Sequence, residues 1–379
     1  MKVVVAPDKL KGSLSAVEAS RAMREGVRRA DPSAEVKICP MSDGGEGFAD
    51  VLVTALGGQW RTSRVTGPEG KPVEARWGML EGGVAVVESA LAIGHALVEP
   101  GRGQGDGPSG RTTFGLGELV LEAIDAGATT LLIGLGGSVT ADAGVGMAQS
   151  LGVVFEGVGR PFTGAQLGDI RALDLRARDP RVATLAIRVA TDVDNPLRGL
   201  TGSARVFAPQ KGADAAEVER LEAGLVHLTT VAGDAGCQPG DGAAGGLGYG
   251  LRIFAGASIE SGAELVLDAV GFDAQLDGCD LVLTGEGRLD AQTARGKVVA
   301  GVARRCKVRG VPVAAMVGSM AAGDPVASAL RELGLTAWFS LCDGPRGEAY
   351  ASAHAAELLV SATENAVRLF ASRRGGPSR

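Results

Sequence analysis

Positive charge is in short supply in this 379-residue chain: 38 Lys and Arg against 44 Asp and Glu leave a formal net charge of -6. A chain of this balance lacks the electrostatic footprint of a nucleic-acid binder. A few placed cations can still hold a small anion, because local field and net charge are separate matters. Cysteine is sparse and scattered (Cys39, Cys237, Cys279, Cys306, Cys342), and no two are spaced as Cys-x-x-Cys. That spacing argues against a zinc site or a disulfide framework and fits a reducing compartment. The three histidines, His95, His227 and His354, have no acidic or nucleophilic partner in register. Long apolar runs are missing as well. Lys2, Asp8, Lys9 and Lys11 interrupt the start too soon for a signal peptide. The uncharged stretch between Asp125 and Asp142 is rich in Gly and Thr and falls short of the ~20 apolar residues of a membrane helix. Together these absences read as a soluble, cytoplasmic protein with no nucleic-acid or membrane partner.

Familiar catalytic signatures are absent too. Gly296-Lys297 has the ending of a Walker loop, but Val298 replaces the Ser or Thr and Ala291 the leading Gly, so a P-loop is rejected. Residues 105–110 match a dinucleotide fingerprint by letters only, with no strand before them and Pro108 inside. There is no Gly-x-Ser-x-Gly elbow and no His-Glu-x-x-His pair.

Glycine, by contrast, is abundant: 59 residues, clustered between apolar runs and without a fixed repeat. Against an average of about 7%, this signals many tight turns and close backbone approaches. Residues 2–6 read as a buried strand ended by Pro7, followed by a helix that Ser15 and Glu18 open as a capping box. A second strand over 35–39 and a helix carrying Phe48, Val51, Leu52 and Ala55 on one face begin a parallel α/β layer. Short β-prone runs at 60–65, 72–77 and 84–87 suggest an antiparallel insert or a crossing between domains. Residues 100–110 read as a loop, a helix face runs from Leu116 to Gly127, strands are expected over 129–133 and 181–190, and Leu221, Leu225 and Leu228 mark a further helix. Regular alternation then returns: strands at 281–284, 311–317 and 336–341, helices at 292–306, 327–333 and 349–372, and a frayed tail from 373. Both termini share one α/β rhythm, and the length suggests two cores. The expected architecture is a Rossmann- or flavodoxin-like three-layer domain from residues 1–82 plus 281–379, with a second α/β domain, residues 83–280, inserted and the active site in the cleft between them. A linear two-domain split is the alternative.

Open parallel sheets bind ligands beyond the carboxyl ends of their strands, and here each strand is followed by a polar loop. These loops hold Asp8, Lys11 and Ser13; Asp43; Gly136, Gly137 and Ser138; Asp192 and Asp194; Glu286, Arg288 and Asp290. Residues 242–248 add another glycine cluster with Gly245 and Gly246. Glycines let backbone N–H groups approach an anion, carboxylates hold magnesium or accept a hydroxyl proton, and Lys and Arg pair with phosphate or carboxylate oxygens. Lys211, with Lys11 and Arg288, can pair with phosphate or carboxylate oxygens; equally, any single loop is more often a plain turn, Asp8 and Glu46 can simply cap helices, and Lys211 can simply be solvated. The stack of loops carries the argument.

Taken in order, these loops resemble those of the bacterial glycerate kinases, the family that includes the glycerate 2-kinases of glyoxylate and sugar-acid breakdown. The matching blocks are APDKLKGSLSA at 6–16, SDGGEGF at 42–48, GLGGSVTADAGVGM at 134–147, TDVDNPLRG at 191–199, FAPQKGA at 207–213, DGAAGGLG at 241–248 and DLVLTGEGRLDAQTARGK at 280–297. FSLCDG and SATENAVRLF near the end are also similar, so the resemblance covers nearly the whole chain. It implies ATP, Mg²⁺, glycerate as acceptor, a lean toward 2-phosphoglycerate, and two α/β domains with one inserted in the other. The glycine block departs from the usual GGSATNDGG at Val139, Ala141 and Ala143, and Ser42 stands where Ala is usual.

On chemistry, Gly136, Gly137, Ser138, Gly245 and Gly246 are expected to cradle the nucleotide's phosphates. Lys11 and Arg288 would clamp the glycerate carboxylate and the transferring group. Asp192 is the first choice of base or magnesium contact, with Asp8, Asp43 and Glu286 next, and Asp194 stands beside Asp192 for the metal. Ser13, Asp43, Glu286 and Asp290 complete the substrate site. A kinase for another small sugar acid such as tartronate or erythronate, and a non-catalytic metabolite sensor, are the competing readings; a nicotinamide oxidoreductase is disfavoured by the missing fingerprint. A homodimer is compatible with the sequence.

Overall fold

The computed structural model describes residues 1–98, 107–290, 293, 296–320, 324–345 and 347–374. The first part of the loop expected at 100–110, most of 291–295 at the start of the helix expected from 292, and the tail beyond 374 lie outside the described residues. The chain divides into two compact units, Met1–Asp43 with Asp50–Leu56 and Ser261–Arg379, and Gly44–Ala49 with Gly57–Glu260. Residues 57–82 go with the second unit because the strands Gln59–Thr66 and Pro72–Leu80 pair onward to Val84–Glu88. Residues 261–280 go with the first, where Arg305 of the helix Val298–Arg309 pairs with Glu264, Asp268 and Asp273.

The first unit is built on five parallel strands in the spatial order Ala337–Ser340, Val313–Met320, Leu281–Leu289, Lys2–Pro7, Glu35–Ile38. Counted along the chain this is the 2-1-3-4-5 order of flavodoxin-like sheets, whose ligands sit where the order reverses, between the first and third strands. Here those are Lys2–Pro7 and Leu281–Leu289, paired from Val3↔Leu281 to Pro7↔Gly285. Consecutive residues Val3, Val4 and Val5 are all fully buried, as a sheet covered on both faces requires. Val3, Val5, Leu281, Leu283 and Met316 form one core with Met23 and Val27 of the helix Ala16–Ala30 and Leu359 and Val367 of the helix Ala355–Arg374. The capping box expected at Ser15 and Glu18 is present. Gly26 lets the two helices meet closely: a Cβ there would lie 2.7 Å from that of Thr363.

The second unit carries a six-stranded mixed sheet, in the order Ser258–Glu260, Ala186–Ala190, Thr130–Gly134, Val84–Glu88, Pro72–Leu80, Gln59–Thr66. The first four strands are parallel and the last two antiparallel. The β-prone runs near 60–87 are thus the antiparallel half of a sheet. A second core gathers Phe155, Phe162, Leu221, Leu225, Leu228, Tyr249 and Phe254 around the helices Ala215–Ala232 and Ala243–Ala255. The helix signal at Leu221, Leu225 and Leu228 holds.

Four expectations need correction. Residues 181–184 form a 3-10 turn, Pro180–Thr184, opened by Asp179 accepting from the Arg181 N–H, so only Ala186–Ala190 is strand. The strand expected at 281–284 continues to Leu289, so Glu286 and Arg288 sit on a strand and not in a loop. Pairing with Val317 and Ser319 of the neighbour extends the ladder, and Gly285 lets the backbone at Met316 come close. The closing helix is two, Glu348–Ala353 and Ala355–Arg374, interrupted at His354. Of the two readings of Lys211, the solvated one falls, since the residue is buried.

Candidate functional site

At the order reversal of the first unit's sheet, a cavity of about 650 Å³ opens between the residues following Lys2–Pro7 and the far half of Leu281–Leu289. Asp8, Lys9, Lys11, Ser13, Asp43, Glu286, Arg288, Asp290, Lys297 and Ser319 line it. The loop after Pro7 is held by its own backbone. Leu10 and Leu14 exchange N–H···O bonds at 2.8 and 3.0 Å around Gly12 at φ +79°, which leaves Lys11 exposed. Ser13 spends its hydroxyl hydrogen on the Leu10 carbonyl, 2.9 Å away. Lys9 Nζ donates to Asp43 at 3.0 Å and lies 3.8 Å from Asp8, tying the two carboxylates together.

Glu286, in this cavity, is strongly shifted. It is buried, and loss of solvation pushes its carboxyl up to about 7. The Thr293 hydroxyl, which donates to its Oε1 at 2.6 Å, and the charge of Lys297 act the other way, while Asp8 and Asp290 raise it further. Thr293 also accepts from the Asp290 N–H at 3.1 Å. A carboxyl with this affinity for a proton is matched to general-base work near neutrality. Lys11, Arg288 and Lys297 surround it with the charge a small carboxylate substrate needs.

In the second unit, Ile133↔Val189 and Gly134↔Ala190 pair in register, so the loops leaving these parallel strands emerge at one carboxyl edge. One holds Gly136, Gly137 and Ser138; the other holds Asp192 and Asp194, both exposed. Much of the glycine here serves packing. A Cβ on Gly134 would lie 2.6 Å from the Gly44 carbonyl oxygen, and one on Gly136 2.7 Å from the Gly45 Cα. Gly245 and Gly246 are buried at φ +76° and +86°, Gly245 backed against the Thr140 carbonyl. Gly137, at φ +62°, is exposed.

Lys211 braces this loop from beneath, and Asp142 braces the residues that follow it. Asp142 accepts from the Thr113 N–H and hydroxyl at 2.8 Å each and from the Gly144 and Gly146 N–H groups at 3.2 Å; burial raises its carboxyl. Lys211 donates to the Ser138 hydroxyl at 3.0 Å and the Thr140 carbonyl at 2.8 Å. Loss of solvation brings its ammonium down to about 7. Glu88, also buried, accepts from the N–H groups of Gly47 at 3.1 Å and Ala49 at 3.4 Å, anchoring residues 44–49.

Of the residues singled out from sequence, the structure gathers Asp8, Lys11, Ser13, Asp43, Glu286, Arg288 and Asp290 around one cavity. Gly136, Gly137, Ser138, Asp192, Asp194, Gly245 and Gly246 belong to the second unit. Sequence reasoning missed Lys9 and Lys297 as lining residues, although both stood in the quoted blocks. It also ranked Asp192 above Glu286 as base, because nothing local announces burial.

The profile of the glycerate kinase family matches residues 3–371. The chain is 40% identical over 365 residues to the glycerate 2-kinase of Escherichia coli, covering 93% of this chain and 94% of that protein. It is 41% identical over 348 residues to the glycerate kinase of Halalkalibacterium halodurans, covering 89% and 90%. A crystal structure assigned as glycerate kinase 2 of Salmonella typhimurium LT2 superposes with a TM-score of 0.86 at 38% identity, over 99% of each chain.

Proposed function

The chain belongs to the glycerate kinase family, and from that premise we propose that it moves the terminal phosphoryl group of ATP onto the 2-hydroxyl of glycerate. The observation that carries the reading is Glu286: a buried carboxyl with a proton affinity near neutrality, in a cavity edged by Lys11, Arg288 and Lys297. Lys11 and Arg288 hold the glycerate carboxylate, Arg288 with its planar fork. Glu286 takes the proton of the attacking hydroxyl as its oxygen bonds to phosphorus and the bond to the leaving ADP oxygen breaks. This gives Glu286 the base role and leaves Asp192 to the metal. The loop 136–138 takes the donor's phosphates, with Gly245 backing it at Thr140.

Magnesium is bound through one or two carboxylates, with waters and phosphate oxygens completing its shell. Asp192 and Asp194 offer such hard oxygen donors on the loop beside residues 136–138. Among the described residues no group of three or more His, Cys, Asp or Glu is placed to hold a metal ion. When bound, the ion would spread the charge of the phosphates.

A sensor would not need a carboxyl tuned as Glu286 is. Incubation with Mg-ATP and D-glycerate, followed by phosphorus NMR, tests the reading. A phosphoester on the 2-oxygen is expected. No ester would overturn the activity, and an ester on the 3-oxygen would overturn the regiochemistry. Turnover of tartronate or erythronate well above that of glycerate would move the assignment to another sugar acid.

A further inference from the structure

The loop of residues 136–140 carries donors that nothing in the protein uses. Among the described residues, the backbone N–H groups of Gly137 and Ser138 meet no protein acceptor, and the fully buried Thr140 Oγ1 has no hydrogen-bond partner. Ser138 and Thr140 are buried, where a donor left so is uncommon because it forfeits its hydration, while the Gly137 N–H lies at the exposed end of the loop. Two cations, Arg111 and Lys211, and one backbone donor hold the same few residues. Arg111 Nη1 donates to the Val139 carbonyl at 3.2 Å, the His95 N–H donates to the Gly137 carbonyl at 3.2 Å, and Lys211 holds Ser138 and Thr140 from within. Because Ser138 Oγ accepts from Lys211, its own hydrogen is left to donate outward.

We infer that residues 137–140 form an oxyanion subsite for the donor's phosphates, and that Lys211 is its positioning residue. The inference rests on the kinase reading but concerns binding alone. Lys211 sets the Ser138 hydroxyl and the Thr140 carbonyl and places a positive charge under the loop. An anion arriving above it completes the hydrogen bonds of the Gly137 and Ser138 N–H groups and returns to the lysine the Coulomb support that burial removed. The charged groups near Lys211 are Asp142, which favours its ammonium, and Arg111, which opposes it; Lys211 in turn lowers His95. The remaining walls are uncharged: Ala141, Ser203, Phe207, Leu221 and Leu225. The space beside the lysine holds about 10 Å³, room for at most one water, so the anion sits on the loop and not in this pocket.

The test is calorimetric binding of inorganic tripolyphosphate to the intact chain, with steady-state kinetics in parallel. Lys211→Met is expected to weaken tripolyphosphate and to raise KM for ATP by about ten- to hundredfold, the span of one or two charge-assisted hydrogen bonds. KM for glycerate should stay put, and the wild-type advantage should shrink as pH rises through about 7. A purely structural lysine would produce neither the split between the two substrates nor the pH trend. Lys211→Arg, which keeps the charge, should recover part of the affinity. Should Lys211→Met fail to fold, Ser138→Ala takes its place, with the same loss of tripolyphosphate expected. Undiminished tripolyphosphate affinity in whichever variant folds overturns the inference, even if the protein turns over glycerate. A protein that binds tripolyphosphate through Lys211 but leaves glycerate untouched would instead overturn the kinase reading alone.

Discussion

Glu286 and Lys211 reach about 7 from opposite directions, and one cause moves both: burial penalises whichever form is charged. In the base role proposed for Glu286, the working form appears only as pH climbs. The kcat of the enzyme should therefore rise with pH through about 7 and then level. Glu286→Gln keeps the shape but cannot take a proton. Its kcat should fall by about 10²–10⁴-fold, the usual reach of general-base catalysis, with KM for glycerate little changed; steady-state rates across pH check both. Lys11→Ala and Arg288→Ala should behave differently, each raising KM for glycerate by about ten- to hundredfold as a charge-assisted hydrogen bond is lost. Because both side chains are exposed, neither change should move the melting temperature appreciably. Substrate saturation curves separate the two classes of variant.

At the scale of elements, the sites are set by how strands end. Leu281–Leu289 runs past Thr284 because Val313–Met320 continues to pair with it, and this carries Glu286 and Arg288 onto a rigid ladder. The loop at 136–140 is fixed otherwise, by Lys211 and Arg111 reaching in from other segments, and Asp142 holds the turn just after it. Asp142 satisfies four donors at once, so Asp142→Ala should leave several N–H groups buried without acceptors. A loss of about 2–4 kcal/mol is expected, read as an earlier urea midpoint. The capping box at Ser15 was legible because all its parts lie within four residues. The 3-10 turn at Pro180–Thr184 was masked by apolar residues that continue the strand pattern. The interruption at His354 carries neither proline nor glycine to announce it.

Over the whole molecule, the same two buried groups shape stability against pH. Glu286 has a folded value above the unfolded one, so its contribution is full below about 4.5 and is lost as pH rises through about 7. Lys211 has a folded value below its unfolded one, so the chain gains stability as pH rises from about 7 toward about 10.5. Between pH 5 and 8 the melting temperature of Glu286→Gln should change less than that of the wild type, which loses the Glu286 contribution as pH rises. An equal change in both proteins would remove Glu286 as the source. Among the described residues no helix is long and apolar enough to cross a membrane, in keeping with the short apolar runs of the sequence. The sequence by itself determined the α/β alternation, the capped first helix, the polar loops after the strands and the blocks that mark the family, because propensity, capping and motif spacing act over a few neighbouring residues. Only the tertiary structure decided that residues 57–82 join the second unit, that Glu286 and not Asp192 is the buried carboxyl, and that Lys211 lies beneath the Ser138 loop. Burial is created by segments distant along the chain, Lys211 and Ser138 being 73 residues apart, and a charge feels the desolvation that shifts it only after those segments have packed.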